Sequence, residues 1–580
     1  MVFGWQKKAG VDEMDIVGRV IATKSIKNTS REFYFWIGKG NEVNPLDLIV
    51  VDDEKRKFYG QVMDIENRTD MESPLDAITP YKFGTDIKEE DRTIERLEDR
   101  RLSMDIAKAQ ILGTSDKILM PPSFNKPVRL ASGKEISEIL TLDIKEEIKP
   151  ERKIAIGYVQ QAAVKEPIWI DLDWLTGPSA AHLNVSGKSR LAAKTSYALF
   201  LIQSILQKSK DVAVILFNVK GSELLQIHEG KLKISEIVKN DWKLMGLEPK
   251  PFDKEKTFYF LPTKKDSSTQ ISSETKNLSR DSKEINEQPN NYFCYKYTLK
   301  DIRGRLRYLL ESARIPISDP QISFITQLDD NITTPPWYTN TFQELYDELE
   351  EKMKKIGDDG TYIGARSGTI SVIRRNIYRI AKAQTSGVFG YDLQSVPHKK
   401  IKLPEIFVKD ELTNGSIMVI DLNPLSDFEK TFLFGSILKS VEELMSAGRT
   451  DNSQPKKIIL FVDELNMYVP RSGGREELSL LVDDVINITS RGGALGIILF
   501  GAEQFASKIH PQVYGNIANK AFGCTEPTET TESAYRDIPN DMKALMGGLR
   551  PGEMIVKYDY FGRHYKIGFP DRVIRKQEDI

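Results

Sequence analysis

At 580 residues the chain is too long for a single hydrophobic core, and ordinary apolar (40%) and charged (29%) fractions describe a globular protein of more than one domain. Eighty-two basic side chains against 84 acidic ones leave a net charge of −2, which excludes a broadly basic body and confines any nucleic-acid contact to a local channel. Cys294 and Cys524 lack pairing or metal-ligand spacing, residues 1–10 lack the apolar stretch of a signal peptide, and no apolar run approaches ~20 residues, so a cytoplasmic protein without disulfides, zinc or a membrane span is expected.

Residues 1–13 form an N-terminal tail. From 14 to 160 the pattern predicts a small β-barrel: short apolar runs at 16–22, 32–37, 47–51 and 58–63 are separated by turn residues. The charge-rich stretch 88–110 reads as helical, and 117–122, 127–130 and 154–159 read as further barrel strands. Residues 161–298 begin an alternation of strands and helices, with a strand at 181–185 and a fully apolar strand at 212–218 before a Lys220-Gly221 turn. The segment 264–290 is almost wholly Ser, Lys, Asn, Glu, Asp and Gln and reads as a polar insertion. Residues 299–385 read as a helical insertion subdomain. The alternation resumes over 386–570, with strands at 416–422, 457–463 and 495–501 and a helix at 427–445, and 571–580 is a polar tail. The expected fold class is α/β, with a parallel sheet behind an N-terminal barrel.

Residues 181–196 carry the first chemical signal. A strand leads into a small-residue, basic loop, and Lys194-Thr195-Ser196 opens an apolar helical run over 197–206. This is the layout of a phosphate-binding loop: free N–H groups and the positive dipole end face a triphosphate, the lysine reaches the outer phosphates and the threonine hydroxyl takes a Mg²⁺ position. Against the pattern G-x-x-x-x-G-K-[ST], Ala193 stands at the second glycine and Lys188 at the first, with Gly187 one residue early. A rival register, Gly187-Lys188-Ser189, places His182 at the first glycine and leaves no helix at its lysine. The helix start favours Lys194.

The stretch Lys456-Lys-Ile-Ile-Leu-Phe-Val-Asp-Glu-Leu-Asn466 describes a buried strand with two carboxylates at its tip, where ligands of open α/β sheets sit. Asp463 suits a Mg²⁺ position, and Glu464 suits polarisation of the attacking water. Ser490-Arg-Gly-Gly-Ala precedes a strand that ends in Gly501-Ala-Glu-Gln504, so Gln504 is placed to sense the γ-phosphate. Arg491 lies before that strand and is expected to reach a neighbouring subunit's nucleotide as an arginine finger, with Arg550 a second candidate. The plainer readings are a basic loop that binds nothing, a helix-capping Asp and a surface ion pair. The chain order of the parts favours nucleotide chemistry. Lys220, Arg471 and Arg475, in loops after strands, are candidates for lining a DNA pore.

These residues in this order resemble a HerA-type ATPase of the HerA/FtsK branch of RecA-like motors: an N-terminal barrel, His182-Leu-Asn-Val-Ser-Gly, Phe461-Val-Asp-Glu-Leu-Asn, Ser490-Arg-Gly-Gly-Ala-Leu-Gly, Gly501-Ala-Glu-Gln504 and Leu549-Arg-Pro-Gly-Glu. The resemblance spans roughly 14–570 apart from 264–290. It implies a RecA-like P-loop core, a hexameric ring, ATP hydrolysis with Mg²⁺ and translocation on double-stranded DNA. It further implies a barrel face that docks a nuclease or a sirtuin-like NAD-consuming subunit, as in bacterial anti-phage systems. Carried over by position, Gly187, Ala193, Lys194, Thr195 and Ser196 hold the nucleotide. Thr195 and Asp463 hold the metal, and Glu464, Arg491, Gln504 and Arg550 serve catalysis. The departure is the loop, where Arg190, Ala192 and Ala193 stand at positions expected to be glycine. Two alternatives accompany this expectation: a weakly hydrolysing ring that scaffolds an effector, and a non-DNA P-loop enzyme such as a kinase, for which the sequence offers no lid-like second substrate loop.

Overall fold

The structure, a computed structural model, describes residues 16–54, 56–69, 103–118, 120–142, 144, 148–178, 180–189, 192–221, 223–262, 291–312, 318–331, 341–357, 360–382, 388–389, 401–448, 451–471 and 480–575. The 1–13 tail, the polar insertion at 264–290, Arg190, Arg475, and residues 88–102 of the charge-rich stretch lie outside the described residues. The chain divides into two units, one of Met1–Lys145, Tyr158–Ile168 and Pro539–Asp541, the other of the remainder.

Six strands close the barrel of the first unit: β1 (Ile16–Ile21), β2 (Glu32–Ile37), β3 (Leu48–Asp53), β4 (Arg56–Thr69), β5 (Ser103–Thr114) and β6 (Pro127–Leu130), in the order β1-β2-β5-β4-β3-β6. Phe33, Phe35, Ile49, Val51, Ala107 and Ala109 are buried together; in β2 and β5 this comes from alternation, with Tyr34, Lys108 and Gln110 more exposed, whereas Leu48 and Val50 of β3 are buried as well. Three expectations change here. Residues 103–110 are strand, not helix: Ala107 and Ala109 turn inward while Lys108 and Gln110 turn out, so the charges are the outer face of a half-buried strand. Among the described residues of 117–122 no strand forms, and Pro121 and Pro122 supply no N–H to a ladder. The strand at 154–159 belongs to the large sheet instead of the barrel.

Among the described residues that sheet has twelve strands. They are β7 (Lys153–Gln161), β8 (Val164–Asp171), β9 (Leu183–Ser186), β10 (Val212–Asn218), β11 (Thr257–Pro262), β12 (Tyr292–Tyr295), β15 (Ile417–Asp421), β16 (Lys457–Asp463), β17 (Ile497–Glu503), β18 (Asn519–Phe522), β19 (Glu553–Lys557) and β20 (His564–Gly568). β13 (Thr361–Tyr362) and β14 (Ala365–Arg366) form a separate two-residue hairpin. The sheet order is β12-β11-β15-β10-β16-β17-β9-β18-β19-β20-β7-β8. From β12 to β18 every pairing is parallel, as the α/β pattern predicts. Beyond β18 the pairings with β19 and β20 are antiparallel, an extension that the apolar pattern did not reveal.

Helices α1 (Lys194–Lys208), α2 (Asp427–Ser446) and α3 (Leu480–Leu495) serve the parallel core. β10 and β17 are buried along their whole lengths, which is why they read as unbroken apolar runs. Within 299–385 the described helices are Leu306–Ser312, Asp319–Asn331, Phe342–Ile356 and Ser367–Lys382. Among the described residues, no helix is long and apolar enough to cross a membrane.

Candidate functional site

Four adjacent parallel strands, β10, β16, β17 and β9, end at one edge of the sheet. In such sheets the carboxyl ends of the strands form the ligand crevice. The loop after β9 is shaped by close approach. Gly187 has φ +138°, and its N–H donates to the Glu503 carbonyl at 3.2 Å. A Cβ at that position would lie 2.7 Å from the Ala192 Cβ and 2.9 Å from the Cys524 carbonyl oxygen, so only glycine fits. Ala192 is buried and donates its N–H to the Lys188 carbonyl at 3.0 Å, and a Cβ at Gly523 would come within 2.5 Å of the Ala192 Cβ. The small residues at 187, 192 and 523 therefore answer to packing between this loop and the segment after β18.

Ala193 follows in the left-handed region, φ 47° and ψ 35°, and α1 begins at Lys194 without a side-chain cap. The backbone thus keeps the conformation that a glycine would supply at this pattern position, although the residue is alanine. The first turn has no side-chain cap, and N–H groups at such a helix start suit an anion. Lys194 is buried, and its ammonium donates to the Gly187 carbonyl at 2.8 Å. Burial lowers its pKa, opposed by the nearby charges of Asp463, Glu464 and Glu503. Thr195 and Ser196 sit half-buried in the same turn. The rival lysine behaves differently: Lys188 pairs with Glu526 at 2.6 Å, and no helix starts there. His182, the first glycine position of the rival register, is buried and accepts the Leu499 N–H on Nδ1 at 3.0 Å.

Asp463 ends β16, and its Oδ1 accepts the Glu464 N–H at 3.0 Å. Burial, and then the charge of Glu464, push its carboxyl above the ordinary range, while Lys220 and Lys194 pull it down. Glu464 itself is left-handed, φ 56° and ψ 49°, and largely buried. Its Oε1 accepts from the Lys220 ammonium and from Gln504 Nε2, the latter at 3.3 Å. Lys194, Asp463, Glu464 and Gln504 therefore come to one edge from three strands, with β17 standing between the loop strand and the Asp-Glu strand.

The two arginines lie apart from this cluster. Arg491 is exposed on α3, which runs toward the amino end of β17, the opposite edge of the sheet. Arg550 is exposed in the turn before β19. Hydrogen bonds Thr525 N–H to the Met546 carbonyl (3.2 Å) and Cys524 Sγ to the Gly547 carbonyl (3.4 Å) place the neighbouring segment on the side of the 187–193 loop. Of the pore-loop candidates, Lys220 pairs with Glu464, and the Arg471 guanidinium faces Ser507 O at 3.5 Å and Glu532 at 3.8 Å.

Sequence reasoning missed Lys220 as part of the cluster, and it missed Glu503 and Asn184. Glu503, the last residue of β17, is completely buried, and neither of its carboxylate oxygens has a partner at hydrogen-bond geometry. Burial raises it well above the usual carboxylate range, against the pull of the Asn184 amide and the Lys194 ammonium. A glutamate closing an otherwise apolar buried strand is the signal that marks it. The donors suited to a metal, the Asp463 carboxylate and the Thr195 hydroxyl, are hard oxygens of the kind that hold Mg²⁺ together with phosphate. Among the described residues, no group of three or more His, Cys, Asp and Glu side chains is disposed to hold an ion by itself.

No protein-family model matches this sequence, and no curated protein matches it either. Solved structures similar to this chain include VirB4 of Thermoanaerobacter pseudethanolicus, 13% identical with a TM-score of 0.43, covering 73% of this chain and 98% of that one. The plasmid coupling protein TrwB in complex with the ATP analogue ADPNP is 11% identical with a TM-score of 0.44, covering 77% and 94%. The genome-packaging NTPase B204 of Sulfolobus turreted icosahedral virus 2 is 10% identical with a TM-score of 0.23, covering 29% and 72%.

Proposed function

We propose that this protein binds and hydrolyses ATP with Mg²⁺ at the β9–β17–β16 edge. The observation that carries the reading is the buried Lys194 at an uncapped helix start, set beside the Asp463-Glu464 tip and Gln504. In this reading the Lys194 ammonium and the first-turn N–H groups hold the phosphates, and Thr195 and Asp463 hold the metal, which supplies charge neutralisation at the phosphates when bound. Glu464 orients the attacking water and receives its proton, and Gln504 links that carboxylate to the terminal phosphate.

The assembly part of the reading is a ring of identical subunits, hexameric by the resemblance above. Its support is Arg491: an exposed guanidinium at the far edge of the sheet serves a neighbour's nucleotide more readily than its own. The motif order supports a motor acting on double-stranded DNA, coupled through its barrel face to a nuclease or NAD-consuming effector in anti-phage defence.

ATP turnover and ATPγS binding by the full chain test the site. Lys194→Ala is expected to abolish binding, Glu464→Gln to keep binding and lose turnover, and Lys188→Ala to keep both. Loss of binding in Lys188→Ala with retention in Lys194→Ala refutes the assignment. Particle images with ATP and duplex DNA test the assembly, and a monomer under those conditions removes the motor.

A further inference from the structure

Lys220 has no place in the roles above, yet the fold builds it into the site. It follows β10 in a turn braced by Asn218, whose side-chain amide donates to the Gly221 carbonyl at 3.0 Å and to Asp421 Oδ1 on neighbouring β15 at 2.8 Å. Gly221 has φ +59°, which lets the chain turn immediately after the lysine. Held this way, the Lys220 ammonium reaches Glu464 Oε1 across from β10 to β16.

The two partners are unequal. The Glu464 side chain is 10% exposed and the Lys220 side chain 51%. The carboxylate is the fixed, desolvated member and the ammonium is the one with solvent to move through. A desolvated carboxylate without a counter-charge is costly, and Lys220 and Gln504 supply Glu464 with its partners here. The ammonium groups of Lys194 and Lys220 then face the carboxylates of Asp463 and Glu464, and the first-turn N–H groups of α1 are what remain for an incoming anion. A Mg²⁺-bound triphosphate brings net negative charge to this edge, and of the two lysines Lys194 is already buried on the Gly187 carbonyl. The exposed ammonium is the one that charge draws away.

We propose that Lys220 is a positioning residue that exchanges partners: it holds Glu464 while the site is empty, moves to the terminal phosphate when a nucleoside triphosphate binds, and so frees Glu464 for the attacking water. The inference rests on the ATP-hydrolysis reading. Its distinguishing consequence is selectivity for the third phosphate, because a diphosphate offers Lys220 no new partner.

The test compares binding of ATPγS and ADP, each with Mg²⁺, to the full-length wild type, Lys220→Met, Lys220→Arg and Lys194→Ala, together with steady-state turnover of ATP. Lys220→Met is expected to weaken ATPγS by about tenfold, the scale of one charge-assisted contact to phosphate, and to leave ADP within about twofold. Lys220→Arg restores ATPγS binding, and in Lys220→Met the loss falls on KM with kcat largely kept. Equal weakening of both nucleotides overturns the proposal, because it marks a merely structural lysine. Unchanged binding overturns it as well. A fall in kcat at unchanged KM also overturns it, since Lys220 would then hold Glu464 in its working position. Wild-type protein that binds neither nucleotide, or Lys194→Ala that binds both normally, removes the hydrolysis reading itself and this inference with it.

Discussion

Gly187→Ala tests the loop most directly. At φ +138° an L side chain is strained by roughly 1–3 kcal/mol. The added methyl also meets Ala192 Cβ at 2.7 Å, the Cys524 carbonyl oxygen at 2.9 Å and the Gly523 carbonyl carbon at 3.2 Å. These are backbone or β-carbon atoms that cannot swing aside, so overpacking adds about 1–3 kcal/mol. Together the loss is about 2–6 kcal/mol. Gly415→Ala is the control: its φ is +77° with nothing within 4 Å of the new methyl, so it pays only about 1 kcal/mol of backbone strain. The assay is urea unfolding of the full chain followed by fluorescence of tryptophans such as the buried Trp242, with ATPγS binding measured in parallel. Gly187→Ala should unfold at clearly lower urea than Gly415→Ala. It should also lose nucleotide binding, because the Gly187 carbonyl that receives the Lys194 ammonium is displaced. Equal midpoints for the two variants refute the account of how this loop is held.

Three further expectations follow from the same geometry. Ala193→Gly relieves a left-handed residue at φ 47° against the extra freedom of glycine in the unfolded chain, a net gain of up to about 1 kcal/mol, read as a higher urea midpoint with ATPγS binding kept; a lower midpoint contradicts the helix start. Burial lowers the His182 pKa from 6.5 to about 4, so the unfolded chain takes up the proton first. Stability from this residue is therefore complete above pH 6.5 and is lost as the pH falls toward 4, by up to about 3 kcal/mol. His182→Asn, which tolerates the φ of 70° at this position, should show a flatter decline in urea midpoint over that window, and an identical decline refutes the assignment. Arg491→Ala and Lys194→Ala subunits should each lack ATP turnover, while their mixture regains part of it; a mixture as inactive as its components shows that Arg491 does not act between subunits.

Much of this was legible locally. β10, β16 and β17 are buried on both faces, so their sequences are continuous apolar runs that announce themselves. The start of α1 at Lys194 follows from where the apolar helical pattern begins, and that choice separates Lys194 from Lys188 without reference to any distant residue. The oddness of the loop was legible too, although its reason was not. Gly187 stands one residue early because that backbone must pass against Ala192 and Cys524, and Ala193 keeps a left-handed turn without being glycine.

Other features had no local signal. β5 alternates small apolar residues with charged ones, and a charged outer strand face looks like a solvated helix until its barrel neighbours are known. The antiparallel extension through β19 and β20 depends on strands that pair far from one another in sequence. Lys220 reads from the sequence as a loop cation for a DNA pore, and its ion-pair partner lies 244 residues further on.

Which runs are buried strands, where α1 begins and that Asp463 and Glu464 follow the apolar run of β16 can be read from the sequence alone, because periodicity and strand termini are properties of adjacent residues. Only the tertiary structure decided that β17 lies between β9 and β16, that Lys188 turns to Glu526 and that Lys220 turns to Glu464. Strand order and ion-pair partners depend on how distant segments close on one another, and local pattern carries no record of that closure.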